Sequence, residues 1–367
     1  MQRGVLVTTS DPRYWIGFQL IPRIGPARLA LLLDRFESIE AAWFASASEL
    51  HGAGLPRDLA EAVVSQRRTL DLDSQLAANE RAGIRVLTLA DVDYPRLLRH
   101  IPHPPPVLYL LGTLTATDEL SVGLVGTRRA TAYGSDMARR FASELAGAGA
   151  TVVSGLALGI DTIAHRAALE SGGRTLAVLG SGLDVVYPPR NRRLAQQIIE
   201  QGALISEYPL GTQPDARNFP ARNRIISGLS RAVLVVEAPD RSGALITASF
   251  AGEQGRHVYA VPGSALAPSS AGCHRLIRDG ATLVTDAAQI LEDLDVQSSR
   301  AAVQTRLELP ASDSERILYA LVGAEPRHVD ELCRSSGLSI QETNGSLLGL
   351  ELKGLVRQAG AQHYVRG

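Results

Sequence analysis

The sequence predicts an α/β protein. Its mostly parallel sheet is flanked by a helical N-terminal domain and a C-terminal winged-helix-like domain. Three observations carry this reading. From about Ser121 to Leu294, apolar strand-like runs alternate with helical segments, the mark of βαβ units around a buried parallel sheet. From Trp15 to Gln66 the apolar spacing is helical throughout. After a polar stretch, Ser314–Gly367 reads as three short helices and two short strands, the winged-helix pattern. The expected domains are 1–70 (helical), 71–295 (the sheet with its lead-in), a linker at 296–312, and 313–367 (winged helix).

Taken in order, "ARLALLLDRF" and "DLAEAVVSQ" are helical, set between the Gly/Pro punctuation of "IPRIGP" and "HGAGLP". A short strand is expected at Ile84–Leu89, followed by the proline-dense "HPPPVLYLLG". The central strand candidates are "SVGLVG", "ATVVSG", "TLAVLGSG", "GALISEYP", "RAVLVVEAP", "HVYAVPG" and "ATLVTD". Helices are expected between them, among others at Ile160–Glu170, Arg192–Gln201 and Leu245–Gln254. Right-handed crossovers then bring the strand C-termini and their Gly/Ser loops to one edge. The helices "SERILYALVG" and "HVDELCRSSG", a third near Ser339–Lys353, and strands meeting at Gly360 complete the chain.

With 367 residues, 45% apolar, the chain can bury a large core. Its net charge of −1 produces no global basic field. Lys353 is the sole lysine, so its cations are guanidinium groups, which suit bidentate phosphate contacts and stacking. Two cysteines, Cys273 and Cys333, argue against a disulfide framework and for a reducing compartment. No Cys or His spacing suggests a metal site. The opening "MQRGVLVTTSDPRYW" lacks a signal-peptide core and no apolar run is long enough to span a bilayer, so a cytoplasmic protein without membrane insertion is expected.

The strand ends collect glycine and small hydroxyls: "GTRRATAYG", "SGLALGID", "GSG" and "RSGALITA". Such loops let backbone amides approach an anion at a helix N-terminus, or simply make tight turns. None fits the dinucleotide fingerprint or a Walker A loop, so no nucleotide cofactor is expected. Between Ser121 and Ser230 there are 12 arginines and 8 carboxylates, a local excess of positive charge.

The run "NFPARNRIISGLS" (Asn218–Ser230) sharpens that point. Pro220 suits a first helical position, yet Arg222 and Arg224 follow closely, where the helix macrodipole is positive. Two apart, these arginines diverge. Either both bracket phosphates, or one binds while the other makes an internal pair. Phe219 reads as a hydrophobic staple or as a base-stacking platform. Catalytic readings are weaker. Ser154, Asp161 and His165 lie in one βα unit without a nucleophile elbow, Cys273 and His274 are mere sequence neighbours, and Glu253 suits a solvated helix end. No catalytic set emerges.

The runs "VGTRRATAYG", "SGLALGIDTIAHRAAL", "AVLGSGLDVVYPPRN", "GALISEYPLGTQP", "FPARNRIISGLS", "VVEAPDRSGALITA" and "VYAVPGS", in this order, closely resemble the DprA/Smf family of DNA-processing proteins. So does the lead-in "DYPRLLRHIPHPPPVLYLLG". The resemblance implies a Rossmann-like sheet, single-stranded DNA binding, loading of the RecA recombinase during natural transformation, a homodimer, and no enzymatic step. Carried over by motif, the strand pocket comprises Arg128, Phe219, Arg222, Asn223 and Arg224, with Ser154, Gly155, Ser242 and Gly243 as backbone-approach positions. The dimer face falls near Leu276 and Ile277 in "GCHRLIRDGA". "IPRIGPARLA" looks like half of a helix-hairpin-helix or SAM-like module, with Arg23 where glycine is common. The presumptive recognition helix "SIQETNGSLLGLELK" has a net charge of −1, which favours a protein contact over duplex DNA, although Arg357, His363 and Arg366 lie near the wing. The alternative enzyme is a nucleotide phosphoribohydrolase of the lysine-decarboxylase-like (LOG) type. That class carries P-G-G-x-G-T-x-x-E; "RSGALITASF" has Phe250 and Ala251 near where its glutamate would be sought. A pure interaction scaffold is the third reading.

Overall fold

The computed structural model describes residues 11–294, 312–323, 326–352, 355–358 and 362–366. Apart from Ser312, the expected linker lies outside them, as do Lys353 and Gly360. The chain divides into two compact units, Met1–Ile290 and Leu291–Gly367.

All seven expected central strands form: β3 (Ser121–Val125), β4 (Thr151–Ser154), β5 (Thr175–Leu179), β6 (Gly202–Ser206), β7 (Ala232–Val235), β8 (His257–Ala260) and β9 (Thr282–Leu283). Before them come β1 (Arg85–Thr88), which was expected, and β2 (Val107–Gly112), which was not. The sheet order is β1-β2-β6-β5-β4-β3-β7-β8-β9. β3 to β9 pair in parallel, while β1 with β2 and β2 with β6 are antiparallel. Three prolines immediately precede β2 and hide it in the sequence. Lacking N–H groups, they cannot donate to a ladder; Pro106 O only accepts from Leu89 N at 3.1 Å, and strand pairing starts at Val107 where they end.

From β3 the chain winds outward through β4, β5 and β6. It then returns to place β7 on the other side of β3, with Val122 opposite both Val152 and Ala232. The loops leaving β3 and β7 therefore diverge, and a crevice opens between them at the topological switch point.

Each face of the sheet is covered. Along β5, Ala177 and Leu179 join one core, Leu176 and Val178 the other, as strand alternation requires. The first core continues into six N-terminal helices, Pro12–Leu20, Pro26–Arg35, Ile39–Phe44, Ala47–Gly52, Arg57–Gln66 and Leu72–Arg81. Among their buried residues, Phe18 and Trp43 meet edge to face, with centroids 5.1 Å apart. Arg23 holds the left-handed conformation (φ 73°) that its turn requires, so the hairpin-like turn survives without glycine. Its guanidinium bonds Asp58 at 2.6 Å, and its carbonyl accepts from Arg28 at 2.5 Å.

The second unit has helices Asp313–Leu321, Val329–Ser336 and Ile340–Leu352 around Leu318, Leu332, Leu347 and Leu350. Its sheet, β10 (Arg327–His328), β12 (His363–Arg366) and β11 (Val356–Gln358), completes a winged helix. Two-residue β10 was not anticipated, being too short to show alternation.

Gly17 faces the Trp43 ring, and a Cβ there would sit 2.6 Å from it. Trp43 is buried and cannot withdraw. Gly17→Ala is expected to cost about 1–3 kcal/mol through overpacking, read as a lowered thermal midpoint.

Candidate functional site

A groove of about 1160 Å³ occupies the switch-point crevice. Its walls come from the loop after β3 (Gly126–Arg129), the loop after β7 (Pro239–Ala244), Val185–Pro189 after β5, and the start of the helix Asn218–Leu229. That helix begins at Asn218, so Pro220 is its third residue and Arg222 its fifth, later than the sequence suggested.

Arg222 is turned inward, 4% exposed. Its Nη1 donates to the carbonyl of Gly155 at 2.6 Å and also to that of Val178, at the ends of β4 and β5. Strand-end carbonyls that a parallel sheet leaves unpaired thus receive a guanidinium, which is why a cation sits here without an external anion. Burial lowers Arg222 to about 10, opposed by nearby Asp161. Arg224, on another side of the helix, pairs internally with Glu207, both largely buried. Burial pushes the Glu207 carboxyl up, and Arg224 opposes this. The expected pair of phosphate ligands is therefore corrected: both guanidiniums are engaged inside the protein.

Two backbone-approach positions change in the same way. Ser154 is buried and its Oγ donates to Leu124 O at 2.7 Å. The Gly155 amide donates to Asp161 Oδ2 at 3.1 Å, and its carbonyl serves Arg222. Glycine is needed at 155 because a Cβ would lie 2.6 Å from the Arg222 guanidinium.

The other candidates line the groove. Arg128 is exposed and lies over the Phe219 ring at 5.3 Å, with Arg222 at 5.9 Å. Phe219 is only half-buried, its edge over Gly180, and Tyr187, 47% exposed, tilts against it at 5.9 Å. Asn223 bridges the walls, its Nδ2 donating to Gly243 O at 3.3 Å. Ser242 Oγ accepts from Ala244 N at 3.3 Å. Sequence reasoning missed Tyr187, Arg192 and Arg241, all exposed on the groove. Each stands beside a strand-end loop that was noticed, but only the fold turns them toward one crevice. Leu276 and Ile277 lie on the helix Ala271–Arg278, half-buried against the sheet core.

The histidine of the hydrolase reading serves a network apart from the serine and aspartate, which interact with each other. His165 Nδ1 meets Thr175 Oγ1 at 2.6 Å, and Thr175 donates on to Val152 O. Asp161 accepts from the amides of Gly155 and Ala157. Cys273 is buried, with its thiol pushed up to about 11 by burial, while His274 contacts Gly263 O instead. In the segment compared with the phosphoribohydrolase loop, Phe250 is half-buried and Ala251 fully buried. Among the described residues no His/Cys/Asp/Glu cluster could hold a metal, and no helix is long and apolar enough to cross a membrane.

The family model for DNA recombination-mediator protein A matches residues 85–295, and that for the DprA winged helix domain matches 302–362. The chain belongs to the DprA/Smf family. Protein Smf of Synechocystis sp. is 39% identical over 399 residues, covering 98% of this chain and 100% of that protein. Protein Smf of Escherichia coli is 42% identical over 296 residues, 78% of each. The DprA structure from Streptococcus pneumoniae superposes with a TM-score of 0.69 at 36% identity, covering 77% of this chain and 98% of that one. DNA processing protein A from Helicobacter pylori, whose structure describes a single-stranded DNA binding mode, gives 0.52 at 31%, covering 57% and 95%. Membership in the DprA/Smf family places the chain in DNA processing and recombination.

Removing Arg222 leaves two buried carbonyls unpaired and Asp161 uncompensated. Arg222→Ala should destabilise the fold by about 3 kcal/mol, seen as an earlier urea midpoint. Burial, with Arg222 nearby, lowers His165 to about 3. The unfolded chain therefore binds a proton near pH 6.5 that the folded chain refuses. The His165 contribution is intact above pH 6.5 and falls with acidification, by about 2 kcal/mol at pH 5. In denaturation series from pH 7.5 to 5, His165→Gln should show a correspondingly shallower pH slope than the wild type.

Proposed function

We propose that this protein binds single-stranded DNA in the switch-point groove and, as a homodimer, delivers it to the RecA recombinase. The observation that carries the DNA reading is Arg128 over the half-exposed Phe219 ring, with Tyr187 beside it. A cation and two aromatic faces at one opening match the two needs of a single strand: phosphate neutralisation and base stacking. Arg129, Arg192 and Arg241 extend the cationic rim, and Asn223, Ser242 and Gly243 line the groove beside it. Arg222 and Arg224 act from inside: Arg222 holds the helix that presents Phe219, and Arg224 anchors its other side to Glu207. An exposed arginine moves from ring to phosphate at little cost, freeing the ring for a base.

The H. pylori relative's single-strand binding mode supports the ligand. The family's description as a recombination mediator supports delivery to a recombinase. The helix bearing Leu276 and Ile277 is the proposed dimer face, binding is the whole of the proposed activity, and the cytoplasm is its proposed compartment.

Fluorescence anisotropy with an oligo-dT strand tests this reading. Arg128→Ala should weaken binding roughly tenfold at physiological salt and flatten the salt dependence by about one phosphate. Phe219→Ala should cost about 1–3 kcal/mol, and duplex should compete poorly. Arg81→Ala, an exposed arginine outside the groove, should change nothing. Unaltered binding by the Arg128→Ala/Phe219→Ala double variant would falsify the assignment.

A further inference from the structure

We infer that a second cationic pocket, lined by Arg166, Arg190 and Arg193 beside the groove, takes phosphates of the same strand where it leaves the groove. This rests on the single-strand reading above.

A cavity of about 640 Å³ lies between the helices Ile160–Glu170 and Arg192–Gln201. Arg166 lines it from the first helix and Arg193 from the second, while Arg190 comes from the short turn Pro189–Asn191 that leads into the second. All three are exposed, and none is ion-paired among the described residues. Elsewhere the chain neutralises such groups locally: Arg140 closes on Glu144, four residues on, at 2.9 Å. Arg166 has Glu170 at the same spacing and makes no ion pair with it. Three guanidiniums thus converge where the chain supplies no partner.

The ridge between groove and pocket is held from below. Asn191 is fully buried, its Nδ2 donating to Leu156 O at 2.9 Å and to Thr162 Oγ1 at 2.8 Å. These bonds pin the turn to the start of the helix Ile160–Glu170. Along the next helix, Arg193, Gln197 and Glu200 share one face at i, i+4 and i+7 and line the second pocket. Arg192, about 100° round the helix, lines the groove instead. Adjacent Cα atoms are about 3.8 Å apart, so a strand crossing the ridge passes from Arg192 to Arg193 and Arg190 without a gap in positive charge.

No carboxylate stands in the first turn of the helix Arg192–Gln201. Glu170 and Glu200 also line the pocket, but about one and two turns further along their helices than Arg166 and Arg193. A phosphate chain therefore follows the arginine end and is turned away from the other. The lining holds no aromatic ring, so the pocket reads backbone charge and leaves stacking to Phe219 and Tyr187.

Anisotropy is measured on the full chain with oligo-dT of about six and about twenty nucleotides, the short strand spanning the groove alone. Arg166→Ala/Arg190→Ala/Arg193→Ala should hold the short strand within about twofold of the wild type. It should weaken the long strand roughly thirtyfold at physiological salt and lower its salt slope by about two. Arg57→Ala/Arg68→Ala/Arg81→Ala, which removes the same charge from exposed positions of the N-terminal helical region, should bind both strands as the wild type does. In the wild type, the salt slope should be steeper for the long strand than for the short one by about two. An unaltered long strand, equal weakening of both strands, or the same loss in the N-terminal variant overturns the inference even where oligo-dT binds well. Absence of wild-type binding to either strand removes the single-strand reading as well. Should the pocket variant not fold, the wild-type slopes decide, and equal slopes for the two lengths overturn the inference.

Discussion

The hydrogen bonds from Arg222 to the carbonyls of Gly155 and Val178 organise this molecule's functional edge. Parallel strands end in carbonyls with no partner, and a helix crossing above them needs something to fix its position. One buried guanidinium meets both requirements. It sets the height of the helix Asn218–Leu229 over the sheet, and with it the attitude of Phe219. It also faces the Asp161 carboxylate, and opposes the burial that pushes this group toward the neutral form. Gly155 exists to admit it.

The charge pattern follows the same economy. The chain is almost neutral overall, and many of its surface arginines are matched locally, as in Arg140 with Glu144 or Arg217 with Asp215. Four exposed guanidiniums without an ion pair among the described residues, those of Arg128, Arg129, Arg192 and Arg241, stand at the groove. A polyanion therefore meets a local field rather than a global one, and screening limits its reach to about the Debye length, ~8 Å at physiological salt. Selectivity is left to contact geometry rather than to long-range attraction.

The parallel core was legible because its strands are apolar on both faces and separated by helices of ordinary length. β2 was not, since its signal is overshadowed by three prolines. The groove was half legible. Glycine-rich strand ends and the "FPARNR" run located it, but residue type alone does not separate a guanidinium that faces solvent from one that faces a carbonyl. Arg128 and Arg222 look equivalent as letters; burial of 222, created by a turn of helix and the missing side chain at 155, divides them. Tyr187 and Arg241 come from loops far apart in sequence, and only strand order makes them neighbours. The left-handed Arg23 shows the reverse case, in which backbone geometry persists although the expected glycine is absent.

The pairing of β3 with β7 has a consequence for the order in which the protein becomes competent. The wall that carries Arg128 leaves the ribosome with β3, but the wall that carries Arg241 waits for three intervening strands and their helices to be made. Such a non-local closure is among the slower steps of folding. Nascent chains and fragments ending before β7 hold half a crevice. The topology therefore defers binding until the sheet is nearly complete.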